Sequence, residues 1–262
     1  MQNKFRTTLV AALVGCVSYL TALPAFAVEV VGWDSKEGIQ RLEQSKFKDD
    51  FFALATQFQG QENKVYCGVA SMSIVLNALR VERLASIIPI DESIIAKEDR
   101  TYFPKGNWHP LFHRYTQNTV VALSLKPMLE IMGKPTGIKQ EADYGLQLNQ
   151  MEQLAKNHGL ETVAFYITDT DVLPSVKAAM LDALKTEDKY LIVNYSREVM
   201  EQAGSGHFSP VVAYHKASDS FLIMDVSNTF QNWVWVDSPT LMKSMALMDG
   251  EVPRGLLLVS ES

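Results

Sequence analysis

The chain has 262 residues, 47% of them hydrophobic and 21% charged, with five histidines and two cysteines. That is ample for a sizeable core in one two-lobed domain. The formal net charge is −6 at pH 7, and no basic run interrupts it, which excludes a surface built for phosphate backbones or anionic lipid heads.

In chain order, "MQNKFRTTLVAALVGCVSYLTALPAFA" opens with Lys4 and Arg6, continues as an apolar run and ends in Ala25-Phe26-Ala27. This is the layout of a secretory leader, so residues 1–27 are expected to be a signal peptide and residues 28–262 the exported domain. Pro24 and the small residues near it, with no basic stop-transfer flank, argue against a membrane anchor, and no membrane association is expected once the leader is gone. A lesser alternative is lipid anchoring through Cys16, because "LVGC" resembles a lipobox; the apolar run before it is short, however, and the residues after it stay hydrophobic. Lys4 and Arg6 leave with the leader, so the charge of −6 becomes −8 in the mature chain. The expected location is the periplasm, where disulfides form readily. Cys67 then has no intrachain partner and is either a buried filler or a reactive thiol.

Ser35 to Phe58 reads as charged, amphipathic helix, and Cys67 to Leu79 as a helix apolar on most faces, hence buried. "LKPMLEIMG", "LQLNQMEQLAKNHG" and "LPSVKAAMLDALK" carry helical spacing, with Gly133 and Gly159 as stops. Strand signals follow in "TVAFYIT", "KYLIVNY", "FSPVVAYH", "SFLIMDV", "NWVWVD" and "GLLLVS", with "HKASDS" as a hairpin turn. No internal repeat or Gly/Ser linker divides the chain. The expected fold class is α+β, a helical lobe packed against an antiparallel β-sheet lobe, with a cleft where they meet.

Cys67 opens its helix, where unpaired N–H groups and the helix dipole favour a thiolate, and Gly68 beside it allows close approach of a substrate backbone. A cysteine nucleophile needs a base and an orienting group that are remote in sequence. His207 in "GSGHFSPVVAYH" begins a strand after a glycine loop, and Asp225 ends the next strand, so a hairpin can bring them within hydrogen-bond reach. His215 reads as a solvated hairpin residue and His158 as a helix C-terminal one. His109 and His113 have the i, i+4 spacing of a metal pair, but Pro110 works against a regular helix and no zincin glutamate is present, so no metal site is expected. Gln61 lies six positions before Cys67, where a loop could fold its amide beside the Cys67 N–H, although spacing alone reads it as a surface residue.

Taken together, "QENKVYCGVASMSIVLNAL", "GSGHFSPVVAYH" and "FLIMDV" resemble the catalytic domain of the phytochelatin synthases, papain-like cysteine enzymes, over about Phe51 to Leu258. The resemblance implies a papain-like fold, Cys67 as nucleophile, His207 as base and then acid, Asp225 as orienter and Gln61 as oxyanion donor. It also implies that Asn194, Arg197, Gly206 and Arg254 hold the γ-glutamylcysteinyl group of glutathione. A guanidinium suits the α-carboxylate of that group. The implied partner is glutathione. No cofactor is required, and heavy-metal ions such as cadmium enter as thiolate complexes of the substrate.

Two departures bear on the reaction: no cysteine follows Cys67, unlike the Cys-rich extension of the plant enzymes, and "DVSNTFQNWVWV" replaces a longer basic, proline-containing run. The chain is therefore more similar to the short bacterial members. Loss of glycine from glutathione, mainly by hydrolysis to γ-glutamylcysteine with minor transpeptidation to phytochelatin, is the expected activity. Two alternatives stay open: a papain-like peptidase acting on exported peptides, and a non-enzymatic periplasmic protein binding thiols or metals through Cys67. The oligomeric state, a homodimer among the options, is not legible in the residues.

Overall fold

The structure is a computed structural model, and it describes residues 30–80, 87–103, 109–134, 143–169, 172–227, 229 and 231–261. The leader and Cys16 lie outside them. The first strand, β1 (Val30–Gly32), leads into α1 (Lys36–Gln44), whose N-terminus is capped by Ser35 Oγ accepting from the Gly38 N–H. The amphipathic pattern from Ser35 to Phe58 does not form one helix. It breaks at Ser45, and α2 (Asp49–Ala55) begins afresh, because Phe47 is drawn into an extended bridge in which its carbonyl accepts from the Tyr214 N–H at 3.0 Å.

The next helix, α3 (Cys67–Arg80), has 14 residues and leaves only Ala78 outside the buried set. A helix apolar on most faces has to sit inside the protein, and this one does. Full burial of a side chain such as Met72, Ile74 or Leu76 contributes about 1.5–3 kcal/mol, which makes α3 a rigid base for its first residue. Helices α4 (Gln117–Val121), α5 (Met128–Ile131) and α6 (Leu148–Asn157) follow, the last two ended by Gly133 and Gly159 at positive φ.

After β2 (Glu161–Tyr166) and α7 (Leu173–Ala183) come the strands β3 (Lys189–Ser196), β4 (Gly206–His215), β5 (Ser220–Ile223) and β6 (Val234–Asp237). Helix α8 (Ser238–Met245), a two-residue-arm hairpin of β7 (Met248–Asp249) and β8 (Val252–Pro253), and β9 (Gly255–Ser260) complete the described chain. Seven strands form one sheet in the order β1-β6-β5-β4-β3-β9-β2, each neighbour antiparallel. The α+β architecture is thus present, with one addition to a simple two-lobe picture. Helices cover both faces of the sheet.

Alternation along β3 shows this directly. Tyr190 and Ile192 join the apolar cluster built on α3, whereas Leu191, Val193 and Tyr195 join a second cluster with Val176 of α7 and Leu241 of α8. Burial on both faces is why these strands read as continuous apolar runs. The strands β4, β3 and β9 are adjacent at the centre of the sheet, and their neighbouring ends carry His207, Asn194 and, one residue before β9, Arg254.

Candidate active site

At that end of the sheet the N-terminus of α3 delivers Cys67 to a cavity of about 280 Å³ that it shares with His207, Asn194, Gly206, Asp249 and Arg254. Cys67 is 8% exposed, and its sulfur is hydrogen-bonded to His207 and to the backbone N–H groups of Phe208 and Gly68. Burial pushes the thiol pKa up, but the charge of His207 and these hydrogen bonds outweigh it, so the thiol lies below its ordinary value. His207 moves the opposite way. Burial pulls it down, while the charges of Cys67 and Asp225 raise it above an ordinary imidazole. Thiol and imidazole therefore favour each other as a thiolate–imidazolium pair.

Asp225 is fully buried, two residues beyond the end of β5 rather than within it, and the β4–β5 hairpin brings its Oδ1 to 2.9 Å from His207 Nε2. That leaves Nδ1 as the ring nitrogen for sulfur. Burial would raise the Asp225 carboxyl, yet His207, Arg197 and the Ser227 N–H hold it well below the usual carboxylate range. Tyr195 stands directly opposite His207 in the β3–β4 register. Its hydroxyl donates to Asp225 Oδ2 at 3.1 Å, and its ring meets the imidazole edge to face at 5.6 Å. Strand parity points to this tyrosine, since it shares a face with His207 across one ladder rung, but it was not singled out from the sequence.

Arg197 is not a free guanidinium aimed at the cavity. Its Nη2 donates to both oxygens of Asp225, at 2.7 and 2.5 Å, its side chain is 8% exposed, and it is not among the residues lining the cavity. The assignment of Arg197 to substrate is corrected accordingly: a buried arginine beside a buried carboxylate is held by that carboxylate. Arg254 does face the cavity. Its Nη1 donates to Asn194 Oδ1 at 2.9 Å and its Nη2 to Asp249 Oδ1 at 3.1 Å, and it is close enough to Cys67 for their charges to interact. Asp249, on the β7–β8 hairpin, was also missed in the sequence. Gln147 Nε2 donates to its backbone carbonyl at 2.8 Å and fixes the hairpin over the site.

Two glycines bear on Arg254, one by seating the strand that follows it and one by leaving space for its guanidinium. Gly255, at φ +155, lies where a Cβ would meet the Phe165 carbonyl oxygen at 1.8 Å, so a side chain there would push the start of β9 out of register. At Gly206 a Cβ would meet Arg254 Nη1 at 2.4 Å. Gly206→Ala is expected to displace only the tip of the arginine, raising KM for an anionic substrate about tenfold with kcat changed much less. Steady-state kinetics with a thermal melt checks this; an unchanged KM would show that Arg254 does not bind substrate. Gly68 has a different use from the one its position suggested. A Cβ there would meet Met151 Sδ at 3.0 Å and Leu146 at 3.4 Å, so it seats α3 against the protein's own core and offers no space to a substrate.

The Gln61 backbone N–H donates to the Val226 carbonyl at 2.8 Å, tying the loop before α3 to the segment that carries Asp225. Its side-chain Nε2 donates to the Asn63 carbonyl at 2.7 Å, Oε1 is buried with no partner among the described residues, and Gln61 does not line the cavity. The remaining histidines lie elsewhere. His158 caps the C-terminus of α6, as read. His215 is buried, not solvated, because α1 covers the hairpin and Gln44 Oε1 meets its Nε2 at 3.2 Å. His113 Nδ1 meets the Ile88 carbonyl at 2.7 Å, and His109 faces Glu92 at 3.7 Å.

A buried thiol, imidazole and carboxylate in sequence at the mouth of a cavity form the triad geometry of thiol-dependent acyl transfer. The chain belongs to the phytochelatin synthase family: the phytochelatin synthase family model matches residues 19–89 and 96–256. Among curated proteins it is similar to glutathione gamma-glutamylcysteinyltransferase 3 of Lotus japonicus, 27% identical over 236 residues that cover 89% of this chain and 40% of that protein. It is also similar to glutathione gamma-glutamylcysteinyltransferase 2 of Arabidopsis thaliana, at 25% identity covering 92% and 46%, and to the enzyme of that name from Schizosaccharomyces pombe, at 25% covering 86% and 46%. The chain thus spans less than half the length of these relatives. Among solved structures, the peptidase domain of Streptococcus ComA, a bifunctional ABC transporter involved in a quorum-sensing pathway, is similar at 13% identity and a TM-score of 0.40, covering 79% of this chain and 98% of that one.

Proposed function

We propose that the protein removes glycine from glutathione through a γ-glutamylcysteinyl thioester on Cys67. The Cys67 thiolate attacks the cysteinyl carbonyl, the C–N bond to glycine breaks, and His207 gives its proton to the departing nitrogen. Water then attacks the thioester, its proton passes to His207, and the C–S bond breaks to release γ-glutamylcysteine. The oxyanion of each step lies at the N-terminus of α3, with the Gln61 amide as side-chain donor once it turns from Asn63. Asp225, held by Tyr195 and Arg197, keeps Nε2 of His207 protonated and Nδ1 turned to sulfur.

One observation carries the choice of substrate: Arg254 and Asp249 sit 3.1 Å apart in the cavity that holds Cys67. A γ-glutamyl group carries both a free α-carboxylate and a free α-ammonium, which such a pair can take together, Arg254 the first and Asp249 the second. The interior of an ordinary peptide offers neither. This disfavours the general peptidase reading. Asn194 orients the guanidinium, and Gly206 leaves it space.

Glutathione in place of water as acceptor would yield the dimeric phytochelatin, and that route needs a second amine held against the thioester. γ-Glutamylcysteine is expected as the main product, with a minor phytochelatin fraction at high glutathione. Mass spectrometry of products across a glutathione titration, with and without cadmium, checks both. Cleavage of peptides that lack the γ-glutamyl link at a rate equal to glutathione would refute the substrate assignment, and phytochelatin in excess throughout would refute the acceptor.

A further inference from the structure

The cavity that holds Cys67 has a wall that the γ-glutamyl group does not use. Lys64 and Val65, from the loop before α3, line it together with Tyr144, Gly145 and Leu146 from the segment before α6. The two segments touch, since a Cβ on Gly145 would lie 3.5 Å from the Val65 carbonyl oxygen. Both are fixed through their backbones. Gln117, 1% exposed, donates from Nε2 to the Gly60 carbonyl at 2.8 Å and accepts on Oε1 from the Glu62 N–H at 2.9 Å. Asn63 Oδ1 accepts from the Val65 N–H at 3.0 Å, closing a turn with Lys64 at its centre. On the other segment, the buried Lys126 Nζ donates at 2.8 Å to the carbonyls of Asp143 and Gly145 and to Asp143 Oδ2. Against this fixed backbone the Lys64 ammonium stands free. Its side chain is exposed, and among the described residues no acceptor or carboxylate holds it.

The charges that line the cavity pair off except for this one. The Cys67 thiolate and the His207 imidazolium offset each other, as do Arg254 and Asp249, and Lys64 remains. Glutathione at neutral pH carries two carboxylates and one ammonium. With its γ-glutamyl end on Arg254 and Asp249, the charge left over is the glycine carboxylate. Only the glycine Cα separates that carboxylate from the nitrogen that His207 protonates. We propose that Lys64 binds the carboxylate of the departing glycine, a role that rests on the glutathione reading, and so selects substrates whose scissile nitrogen belongs to an amino acid with a free carboxylate.

The same contact serves an acceptor. A second glutathione attacks through its α-amine, whose neighbouring carbon bears a carboxylate just as that of glycine does. The neutral amine forms the C–N bond, the C–S bond breaks to return the Cys67 thiolate, and the nitrogen gives its proton to His207. Lys64 holds the acceptor's carboxylate while this happens. Water has no such group, so hydrolysis of the thioester does not depend on Lys64.

Kinetics with glutathione and with its analogue bearing a carboxamide in place of the glycine carboxylate, followed as γ-glutamylcysteine formed, test the assignment. The wild type is expected to favour glutathione about fivefold in kcat/KM, through KM more than kcat. Lys64→Met should abolish the preference, Lys64→Arg keep it and Lys64→Glu reverse it. Any difference in leaving ability between the two amines is common to all four proteins and cancels in the comparison. With isotopically labelled glycine added, Lys64→Met should also incorporate about fivefold less label into glutathione per γ-glutamylcysteine released. The same preference in wild type and Lys64→Met, or undiminished incorporation of label, would overturn the role of Lys64, while γ-glutamylcysteine still formed through Cys67 would leave the glutathione reading standing. No γ-glutamylcysteine from the wild type would remove both.

Discussion

Cys67→Ala is expected to abolish glycine release from glutathione, a loss of about 10⁴-fold or more, with no acyl-enzyme detectable by intact mass. The effect should be this large because no neighbour can take over. Cys67 is the only cysteine among the described residues, and what activates it is specific to its position: the α3 N-terminus, the Phe208 and Gly68 N–H groups and His207 all act on that one sulfur. The pH profile of the wild type should carry the signature of the pair. The rate of acylation should rise through a Cys67 pKa below its ordinary value and fall through a His207 pKa above its own, because only between them are thiolate and imidazolium both present. Glycine release surviving in Cys67→Ala would remove the thiol from the mechanism altogether.

Asp225→Asn is expected to slow acylation about 10³-fold and to destabilise the fold by about 3 kcal/mol, through two separable causes. The rate falls because a neutral amide in place of the carboxylate no longer favours the imidazolium, so the alkaline limb of the pH profile should move to lower pH. Stability falls because Arg197 is left as a buried cation without its carboxylate, Asp225 and Arg197 being 0% and 8% exposed. Adding Arg197→Met removes the stranded charge. The double variant should recover most of the melting temperature and little of the rate. If the rate returned with stability, Asp225 would be a structural residue only, with no direct bearing on His207.

The six apolar segments that read as strands all pair in the sheet, and Cys67 does begin a helix. These were legible because each rests on a local pattern: β-branched runs, a turn of "HKASDS", an apolar helix after a polar loop. The break between α1 and α2 was not, since the amphipathic period runs on through Ser45 to Lys48 while the bridge from Phe47 to Tyr214 spans 167 positions. The β7–β8 hairpin has arms of two residues, too short to alternate, and with it Asp249 went unseen. At the site, His207 and Asp225 could be paired because a hairpin links them. Arg197 could not be placed, because a strand-end arginine looks the same whether it turns to a cavity or to a carboxylate behind it. His215 looked exposed for the same reason: its cover comes from Gln44, at the far end of the chain.

The sulfur of Cys67 and two of the groups that activate it are far apart in the chain, His207 and the Phe208 N–H lying some 140 positions after it. In an extended chain none of them is near, and the thiol is an ordinary one with a pKa of about 8.5. Its activation is therefore among the last properties the polypeptide acquires, because it waits on the docking of α3 against β4, a contact of long sequence separation. A nascent or partly unfolded molecule carries a sluggish thiol, poorly able to form mixed disulfides or to acylate itself, and nucleophilic power arrives together with the cavity that directs it. The ultraviolet absorbance of the thiolate thus doubles as an intrinsic gauge of whether the two halves of the molecule have come together.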